Sequence, residues 1–310
     1  MNFWLLFLQI LAAIPFLRFL GALAKGVFDV LAGIFDRKGA TDTSSPVDLL
    51  KNEENFGNHG EDNQRPPVLK RGHLPSDIRL LHFTAVRNLQ GISQSGLLTR
   101  EELRKRNASF FFNDHHRHDQ ALIGKSAICL SIGHPNYALL SSLISRHKDA
   151  SFVVLEIDPR ILTKNSNFLV TPSNAAAKEI RTKFKEHPEV FWSEFALVEL
   201  FAPEVRRVKN HTNEIQAFNR PSELSPSMPT DPQAEVLYFG NISRQRILHV
   251  YCPHFLQRRQ IEDLTGGHGW KIDVSVNAEL FGPRADAELW RNFRTCATDF
   301  TERVREKIGS

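Results

Sequence analysis

The chain has 310 residues and a mass of 35.3 kDa, which fits about two domains. Hydrophobic residues make up 41% and charged residues 24%, an ordinary composition that excludes a fully disordered chain, a collagen-like repeat and a polytopic membrane protein. The net charge of +4 is compatible with an anionic partner but too small to establish one. Three widely spaced cysteines, Cys129, Cys252 and Cys296, form no CxxC motif. The sequence therefore predicts a reducing compartment, without a disulfide scaffold or a Cys-based zinc site.

The first 36 residues form a hydrophobic segment of their own. Residues 3–17 read FWLLFLQILAAIPFL, in which Gln9 is the only polar residue. This run is shorter than the roughly 20 apolar residues that cross a bilayer, and no basic residue precedes it as in a signal peptide. We predict that residues 1–36 associate with a membrane, and a buried helix of the main domain is the alternative.

Two membrane arrangements fit this segment. Residues 3–24 can span the bilayer with Arg18 near the headgroups. Alternatively, residues 2–14 insert and residues 18–36 lie in the interface as an amphipathic helix, with Pro15 as the break. If the segment spans, the Lys and Arg residues that follow it keep the rest of the chain in the cytoplasm. We therefore expect a cytoplasmic protein tethered to the inner face of the membrane.

Composition also divides the rest of the chain. Residues 37–75 are rich in Gly, Pro, Asn, Asp and Ser and nearly lack aromatics. They are predicted to form a disordered linker, because such a segment buries little apolar surface. Residues 76–252 form the predicted main domain, and residues 253–310 form a predicted C-terminal α/β extension.

Periodicity predicts the elements of the body in chain order. Strands are predicted at 79–83, 126–132, 151–157, 233–239, 246–251 and 270–275. Helices are predicted at 85–95, 136–147, 174–186, 256–264 and 287–307, whereas 189–201 fits either type. Gly96 is expected to cap the first helix, and Asn174 is expected to begin the third. Polar composition predicts loops at 113–120 and 205–232. The mixture predicts an α+β fold with the strands gathered around a central sheet.

Two predicted strands carry candidate site residues. In DPQAEVL, Gln233 and Glu235 share one face because side chains alternate along a strand. They fit the edge of a site, and an ordinary edge strand with one solvated face is the alternative. His82 and Thr84 also share a face, and both can bind a ligand. Alternatively, the histidine forms its hydrogen bonds within the protein, and the threonine caps the next helix.

The loop NDHHRHDQ at 113–120 concentrates histidines around Arg117. Imidazole suits zinc, but consecutive histidines cannot all turn toward one ion, so a solvated basic loop is favoured and no metal site is predicted. Arg117 can bind phosphate, because its planar guanidinium matches two phosphate oxygens. The sequence contains no Walker A, GxSxG or HExxH motif, and no GxGxxG follows a strand.

Four segments in order carry a resemblance to a known family. They are HFTAVRNLQGISQSGLL at 82–98, NDHHRHD followed by AICLSIGHPNY at 113–137, VVLEIDP with SNAAAKE at 153–179, and DPQAEVLYFGNI at 231–242. The AICLS…PNY and PQAEVL segments are the more specific ones. On these residues the chain resembles the DarT family, toxins that transfer ADP-ribose from NAD to bases in single-stranded DNA. The resemblance covers residues 78–252.

The resemblance implies an ADP-ribosyltransferase-like split β-sandwich, with NAD as co-substrate in a central cleft and no metal. It implies that Glu235 is the catalytic carboxylate and that His82 and Thr84 line the nicotinamide and ribose end of NAD. Arg117 matches an essential arginine of the family that serves catalysis and cofactor binding, and Gln233 falls where this fold orients the acceptor. Cleavage of the nicotinamide bond builds positive charge on the ribose, which the carboxylate of Glu235 can stabilise.

The predicted loop 205–232 is a candidate contact for DNA. Its basic side chains can follow the phosphate backbone, and an aromatic side chain can stack on a base. The candidates are Arg206, Arg207, Lys209, His211 and Arg220, with Phe218 for stacking. A disordered polar connection is an equal alternative.

The resemblance leaves the acceptor base open between thymine and guanine. It implies a role as a toxin or in phage defence, with a macrodomain antitoxin, DarG, as the expected partner. Residues 1–36 and 253–310 lie outside the family pattern. The alternatives are an ADP-ribosyltransferase of RNA or protein, an NAD glycohydrolase, or a non-catalytic membrane-bound binding module. The presence of His82, Arg117 and Glu235 argues against the last of these.

Overall fold

The structure is a computed structural model that describes residues 77–106, 126–162 and 167–309. The predicted membrane segment 1–36, the predicted linker 37–75 and the predicted loop around Arg117 lie outside the described residues. None of the helices in the described ranges has the length and apolar character needed to cross a membrane.

Among the described residues, the main sheet has seven strands in the order β4-β7-β2-β1-β3-β8-β9. The strands of this sheet are β1 Leu80–Ala85, β2 Ile128–Ile132, β3 Phe152–Ile157, β4 Phe168–Thr171, β7 Glu235–Tyr238, β8 Ile247–Cys252 and β9 Asp273–Val276. Neighbouring strands run antiparallel, except β8 and β9, which run parallel. The central strands are rich in Val, Ile and Leu because both of their faces are covered.

A second sheet of three strands has the order β10-β5-β6. It consists of β5 Glu204–Lys209, β6 Ile215–Asn219 and β10 Phe293–Thr295. The prediction of a loop at 205–232 is therefore wrong for the first half of this range, which forms a hairpin. Polar residues cover the outer face, while Val205 and Phe218 are paired across the hairpin and buried on the inner face. Because so few residues of the hairpin face inward, apolar and polar residues alternate only weakly in its sequence.

Helices flank the two sheets. They are α1 Leu89–Ser95, α2 Arg100–Lys105, α3 Tyr137–Arg146, α4 Lys178–Glu186, α5 Pro188–Trp192, α6 Glu194–Glu199, α7 Phe255–Gly266 and α8 Ala297–Gly309. One apolar core joins the sheet to α1 and to α4 through α8. Phe191 and Phe300 meet in it with ring centroids 6.2 Å apart, and burial of each ring contributes about 1.5–3 kcal/mol. Helix α3 packs separately, with Leu140 and Leu143 against Ala85 and Phe152.

Most predicted elements are confirmed within a few residues, and three further predictions are corrected. The third predicted helix starts at Lys178, because Asn174 accepts a hydrogen bond from the Ala176 N–H and forms a turn instead. Residues 189–201, which fit either type in the sequence, contain helices. Within the predicted helix at 287–307, the α-helix begins only at Ala297, and a 3-10 turn and β10 precede it. Strand β7 starts at Glu235 rather than at 233, since Pro232 and Gln233 lie in a turn.

The predicted C-terminal extension is joined to both sheets. Strand β9 pairs with β8 in the main sheet, and β10 pairs with β5 in the second sheet. Trp270 and Trp290 are both buried. Residues 253–309 are therefore part of the same fold as the residues before them. Together these elements confirm the α+β class.

Asp158, a buried carboxylate at the end of β3, forms ion pairs with two exposed arginines. Its carboxylate accepts hydrogen bonds from Arg160 Nε and Arg246 Nη1, both at 2.8 Å. Burial alone would raise the pKa of Asp158, but these hydrogen bonds outweigh burial and lower it to about 2. The stabilisation is therefore complete above the ordinary pKa of 3.8 and disappears as the pH falls toward 2.

We expect Asp158→Asn to lower the free energy of unfolding by about 1–2 kcal/mol at pH 7, since both arginines are partly exposed and solvent screens them. Because the wild-type carboxylate gains a proton at low pH, the difference should shrink steadily below pH 4. Urea unfolding of both proteins at pH 7 and pH 3 measures it. Asp273→Asn, at an exposed carboxylate, is the control. A difference that stays the same at both pH values would contradict this account.

Candidate active site

The main sheet is split between β1 and β2. These two strands pair only at Leu80–Ile132 and Leu81–Ser131. Beyond Leu81, β1 continues beside β3 to Ala85, whereas β2 remains paired with β7. The two halves of the sheet therefore separate after two pairs. This opening agrees with the split sandwich that the resemblance implies.

A cavity of about 780 Å³ lies at this opening. Its volume is within the usual range for small-molecule sites, about 300–1,000 Å³. The cavity is lined from β1, β2, β7, α1, α2, α3 and the turn before α4. The polar residues of its wall include His82, Thr84, Arg87, Asn88, Arg100, Arg106, Ser131, Asn136, Asn174 and Glu235. Three predicted site residues, His82, Thr84 and Glu235, are thus brought together from distant parts of the chain.

His82 bridges the split in the sheet. Its Nδ1 lies 3.0 Å from the carbonyl oxygen of Cys129 on β2. Since a carbonyl only accepts hydrogen bonds, Nδ1 carries the proton and the neutral ring keeps a lone pair on Nε2. Burial lowers the pKa of His82, and the nearby cation of Arg100 lowers it further. The ring is therefore neutral at pH 7 and can accept a hydrogen bond from a ligand.

Thr84 follows two residues later on the same face of β1. The side chain is buried, and its Oγ1 accepts a hydrogen bond from Asn88 Nδ2 at 2.9 Å. Because Asn88 supplies a donor, the hydroxyl proton of Thr84 is left to donate elsewhere. His82 thus offers an acceptor to the cavity and Thr84 offers a donor.

Glu235 is the first residue of β7. The strand ladders place it between Ser131 of β2 and Thr171 of β4. Its Oε1 accepts a hydrogen bond from the Ala175 N–H at 2.6 Å. The side chain is half-buried. The carboxylate is therefore held in a fixed position at the wall of the cavity by strand pairing and by one backbone donor.

Ser131 and Asn136 are site residues that the sequence did not single out. Both are buried, and Ser131 Oγ accepts a hydrogen bond from the Asn136 N–H at 3.0 Å. The Asn136 side chain caps α3 through the Leu139 N–H at 3.3 Å. Both residues belong to the AICLS…PNY segment, so that segment carried the only signal for them.

The described part of the cavity wall also contains three arginines and an apolar surface. Arg87, Arg100 and Arg106 come from the segment that contains α1 and α2. The apolar wall includes Ile92, Leu97, Leu98, Leu103, Leu139 and Leu143. Cationic groups next to apolar surface suit a ligand that has both phosphates and a flat ring.

The other predicted site residues lie outside the cavity wall or outside the described residues. Arg117 lies outside the described residues. Gln233 lies in the turn before β7, where its N–H donates to Asp231 Oδ1 at 2.7 Å. Arg206 and Lys209 lie on β5 of the hairpin, and Arg206 Nε is 3.6 Å from Asp299 Oδ1. None of these three lines the cavity.

Phe218 and Arg207 have structural roles in the hairpin rather than free surfaces. The Phe218 ring is buried and meets Trp290 edge-on with centroids 4.9 Å apart. The Arg207 guanidinium lies between the rings of Phe218 and Phe293, 4.4 and 4.1 Å from their centroids, and burial lowers its pKa. The prediction that Phe218 stacks on a base is corrected, because its apolar ring completes the inner face of the second sheet.

Within residues 77–106, 126–162 and 167–309, no three His, Cys, Asp or Glu side chains come together as a metal site. The three cysteines are free thiols.

Comparison with known proteins gives the family. A sequence model described as ssDNA thymidine ADP-ribosyltransferase, DarT, matches residues 81–282. Curated proteins give no significant match. Among solved structures, Thermosipho africanus DarTG in complex with ADP-ribose is 15% identical, with a TM-score of 0.42, over 66% of this chain and 50% of its own. The present chain thus spans half the length of that protein.

Two structures of DarT from Thermus sp. 2.9 are similar over more of their own length. The complex with NAD+ is 11% identical over 67% of this chain and 100% of its own, with a TM-score of 0.41. The complex with ADP-ribosylated ssDNA is 11% identical over 67% of this chain and 98% of its own, with a TM-score of 0.42. Since the family model matches well over half of the chain and includes His82, Thr84 and Glu235, the chain belongs to the DarT family of single-stranded DNA thymidine ADP-ribosyltransferases.

Proposed function

We propose that the cavity between β1 and β2 holds NAD and that the protein transfers its ADP-ribose to thymine in single-stranded DNA. One observation carries this proposal. His82, Thr84 and Glu235, which are far apart in the sequence, open into one cavity large enough for a small-molecule substrate. The family description supports thymine over guanine as the acceptor base.

Glu235 provides the charge that the reaction needs. The bond between nicotinamide and ribose breaks with positive charge developing on the ribose, and a fixed carboxylate stabilises that charge more in the transition state than in the ground state. Because the Ala175 N–H and two neighbouring strands hold Glu235, little reorganisation is needed during the reaction. The same carboxylate can accept a hydrogen bond from a ribose hydroxyl.

His82 and Thr84 orient the ribose. The lone pair on His82 Nε2 accepts from one hydroxyl, while the Thr84 hydroxyl donates to an oxygen or to the carboxamide of nicotinamide. Together they turn the reacting carbon toward the acceptor, and such orientation lowers the entropic part of the barrier. Asn88 supports this arrangement, since its bond to Thr84 Oγ1 leaves the hydroxyl proton available to the ligand.

The three arginines of the wall suit the two phosphates of NAD. Arg87, Arg100 and Arg106 lie beside the apolar residues that would pack on the adenine ring. Arg117 remains our proposal for a further catalytic and cofactor-binding residue, by its match to the family motif. Gln233 remains a proposal as an orienting residue for the acceptor, and Arg206 and Lys209 remain proposals as phosphate contacts.

A single DNA strand is the acceptor that this chemistry favours. A thymine in a duplex has its base edge paired, whereas a single strand presents that edge without an unpairing cost. We also propose a macrodomain partner of the DarG type, a role as a toxin or in phage defence, and a cytoplasmic location with residues 1–36 as a membrane tether. NAD and DNA are both present in that compartment.

The decisive test uses the full-length protein with NAD and a set of oligonucleotides. Each single strand contains either one thymine or one guanine, and matched duplex and RNA versions are included. Mass spectrometry measures the addition of one ADP-ribose, and fragmentation identifies the base. We expect modification of the single strand with thymine only.

The other outcomes separate the alternatives. Modification of the strand with guanine but not of that with thymine would change the acceptor, and modified RNA or protein would change the substrate class. NAD consumed without any acceptor product would indicate a glycohydrolase. Intact NAD with unmodified DNA would contradict the proposal and favour a binding module, if a melting transition shows that the protein is folded.

The lowered pKa of His82 predicts how NAD binding depends on pH. The neutral ring is needed as an acceptor, so the KM for NAD should be constant from pH 8 to about pH 6.5 and should rise at lower pH as the ring is protonated. His82→Asn keeps a donor for the Cys129 carbonyl but loses the outward acceptor. It should raise the KM about 3–10-fold and remove this pH dependence.

Initial rates against NAD concentration from pH 5.5 to 8 provide the measurement. His268→Asn, an exposed histidine in the turn after α7, should behave like the wild type. If His82→Asn keeps the pH dependence of the wild type, another group is responsible for it.

A further inference from the structure

The segment 221–234, which leads into Glu235, is fixed in place by residues that precede it and by residues that follow it in the chain. It contains no Lys, Arg or His, so every cationic group that binds its carbonyls comes from elsewhere. Arg220, just before it, donates to the carbonyls of Leu224 and Ser225. More distant residues bind its second half, close to the catalytic carboxylate.

Arg284 makes the main contacts with this second half. Its side chain is 3% exposed. Nη1 donates to the carbonyl oxygen of Pro229 at 2.7 Å, and Nη2 donates to that of Thr230 at 2.8 Å. The carboxylate of Asp286 neutralises the guanidinium through two further hydrogen bonds. Four hydrogen bonds of the guanidinium are therefore made inside the protein, and two of them bind the backbone five and six residues before Glu235.

Asp231 connects the same backbone to β10. It is 4% exposed, and its Oδ2 accepts from the Thr295 N–H at 3.0 Å and from Thr295 Oγ1 at 2.8 Å. Its Oδ1 accepts from the Gln233 N–H at 2.7 Å. The turn that carries Gln233 is thus closed by a carboxylate that the C-terminal strand holds.

The segment also rests on the end of β2. Gly133 has φ of +70°, and a Cβ atom there would lie 2.9 Å from Met228 Cγ and 3.3 Å from the Ser227 carbonyl oxygen. Ser131, two residues earlier, is the ladder partner of Glu235. The segment therefore lies next to the candidate site, beside the first residue of β7. None of its residues lines the cavity that we assign to NAD.

We propose that Arg284 is a positioning residue that fixes segment 221–234 as the surface on which the acceptor base meets Glu235. This inference rests on the proposed function. The cofactor fills the cavity from the side of α1 and α2. The acceptor therefore approaches Glu235 from outside the cavity, past the residues that flank Glu235 there. Those flanking residues are the ones that Arg284 and Asp231 hold. A loosened segment should therefore weaken DNA binding and leave NAD binding unchanged.

The test compares full-length variants in the transfer assay. Arg284→Lys keeps the charge opposite Asp286 but cannot bind two carbonyls and a carboxylate together. Thr295→Val has nearly the same shape and removes only the hydroxyl bond to Asp231. Arg291→Lys makes the same chemical change at an exposed arginine of the same region and serves as the control. KM for the oligonucleotide, KM for NAD and Tm are measured for each.

We expect Arg284→Lys to raise the KM for the oligonucleotide about 10-fold and Thr295→Val to raise it about 3-fold, with the KM for NAD within 2-fold of the wild type. If Arg284→Lys does not fold, Thr295→Val still decides the question. Unchanged values for the oligonucleotide, or a rise in the KM for NAD of equal size, would overturn the positioning role. Unmodified DNA with the wild type would instead overturn the proposed function, and with it this inference.

Discussion

Replacement of Glu235 by glutamine is expected to lower kcat for ADP-ribose transfer by about 10³-fold. Glutamine keeps the size of the side chain and an oxygen that can accept from the Ala175 N–H. It removes the negative charge that stabilises the developing charge on the ribose. Because the folded structure is preserved, NAD should still bind with a Kd within a few-fold of the wild type. Single-turnover transfer rates and equilibrium NAD binding measure the two quantities separately.

Glu262→Gln is a matched control, since Glu262 is an exposed carboxylate on α7 paired with Arg258 and does not line the cavity. It should transfer at the wild-type rate. If Glu235→Gln transferred as fast as this control, the catalytic assignment of Glu235 would be wrong. If it lost NAD binding as well as transfer, the carboxylate would act mainly in binding.

A methyl group at Gly96 should strongly destabilise the fold. Gly96 ends α1 with φ of +75°, and a Cβ atom there would lie 2.2 Å from the carbonyl oxygen of Ile242. That carbonyl cannot move freely, because it accepts from the Leu97 N–H at 2.8 Å. Backbone strain and the clash together should lower the free energy of unfolding by about 2–4 kcal/mol in Gly96→Ala. Urea unfolding and Tm give the measurement.

Gly91 provides the control for this change. It lies in the exposed interior of the same helix, and a Cβ atom there meets nothing within 4 Å. Gly91→Ala should therefore raise the stability by about 0.5–1 kcal/mol, because alanine loses less entropy in a helix. Both glycines border the cavity. If the stability falls in Gly96→Ala and rises in Gly91→Ala, the loss at Gly96 is therefore due to its backbone conformation and its contact with Ile242. Equal effects at the two positions would show that the contact with Ile242 is unimportant.

The sequence predicted the central strands well because their apolar runs are long and are bounded by polar residues. β1, β2, β3 and β8 were all predicted within two or three residues. It failed where the signal depends on partners elsewhere in the chain. The hairpin of β5 and β6 buries only a narrow inner face, and β10 is three residues long, so neither has a clear period of its own.

The candidate site was predicted in part. His82, Thr84 and Glu235 were chosen from strand alternation and from the resemblance, and all three border one cavity. The alternation argument for Gln233 was wrong, because residues before Glu235 form a turn closed by Asp231. Asp231 looked like an ordinary loop residue, since its partner Thr295 lies 64 positions away. Contacts of this range have no local signature in a single sequence.

The split between β1 and β2 could not be foreseen from either strand. Both strands are apolar and continuous, and the antiparallel register would allow the ladder to extend past Leu81. The ladder ends there, and the His82 ring instead takes the carbonyl of Cys129. The same residue therefore marks the end of the pairing and provides an acceptor to the cavity.

The most direct test of the central claim is a structure of the full-length protein with a non-hydrolysable NAD analogue. The analogue should lie in the cavity between β1 and β2. Its nicotinamide ribose should be within hydrogen-bond distance of His82 Nε2 and the Glu235 carboxylate, and its phosphates should face Arg87, Arg100 and Arg106. An analogue bound elsewhere, or bound in the cavity with its ribose away from Glu235, would contradict the account.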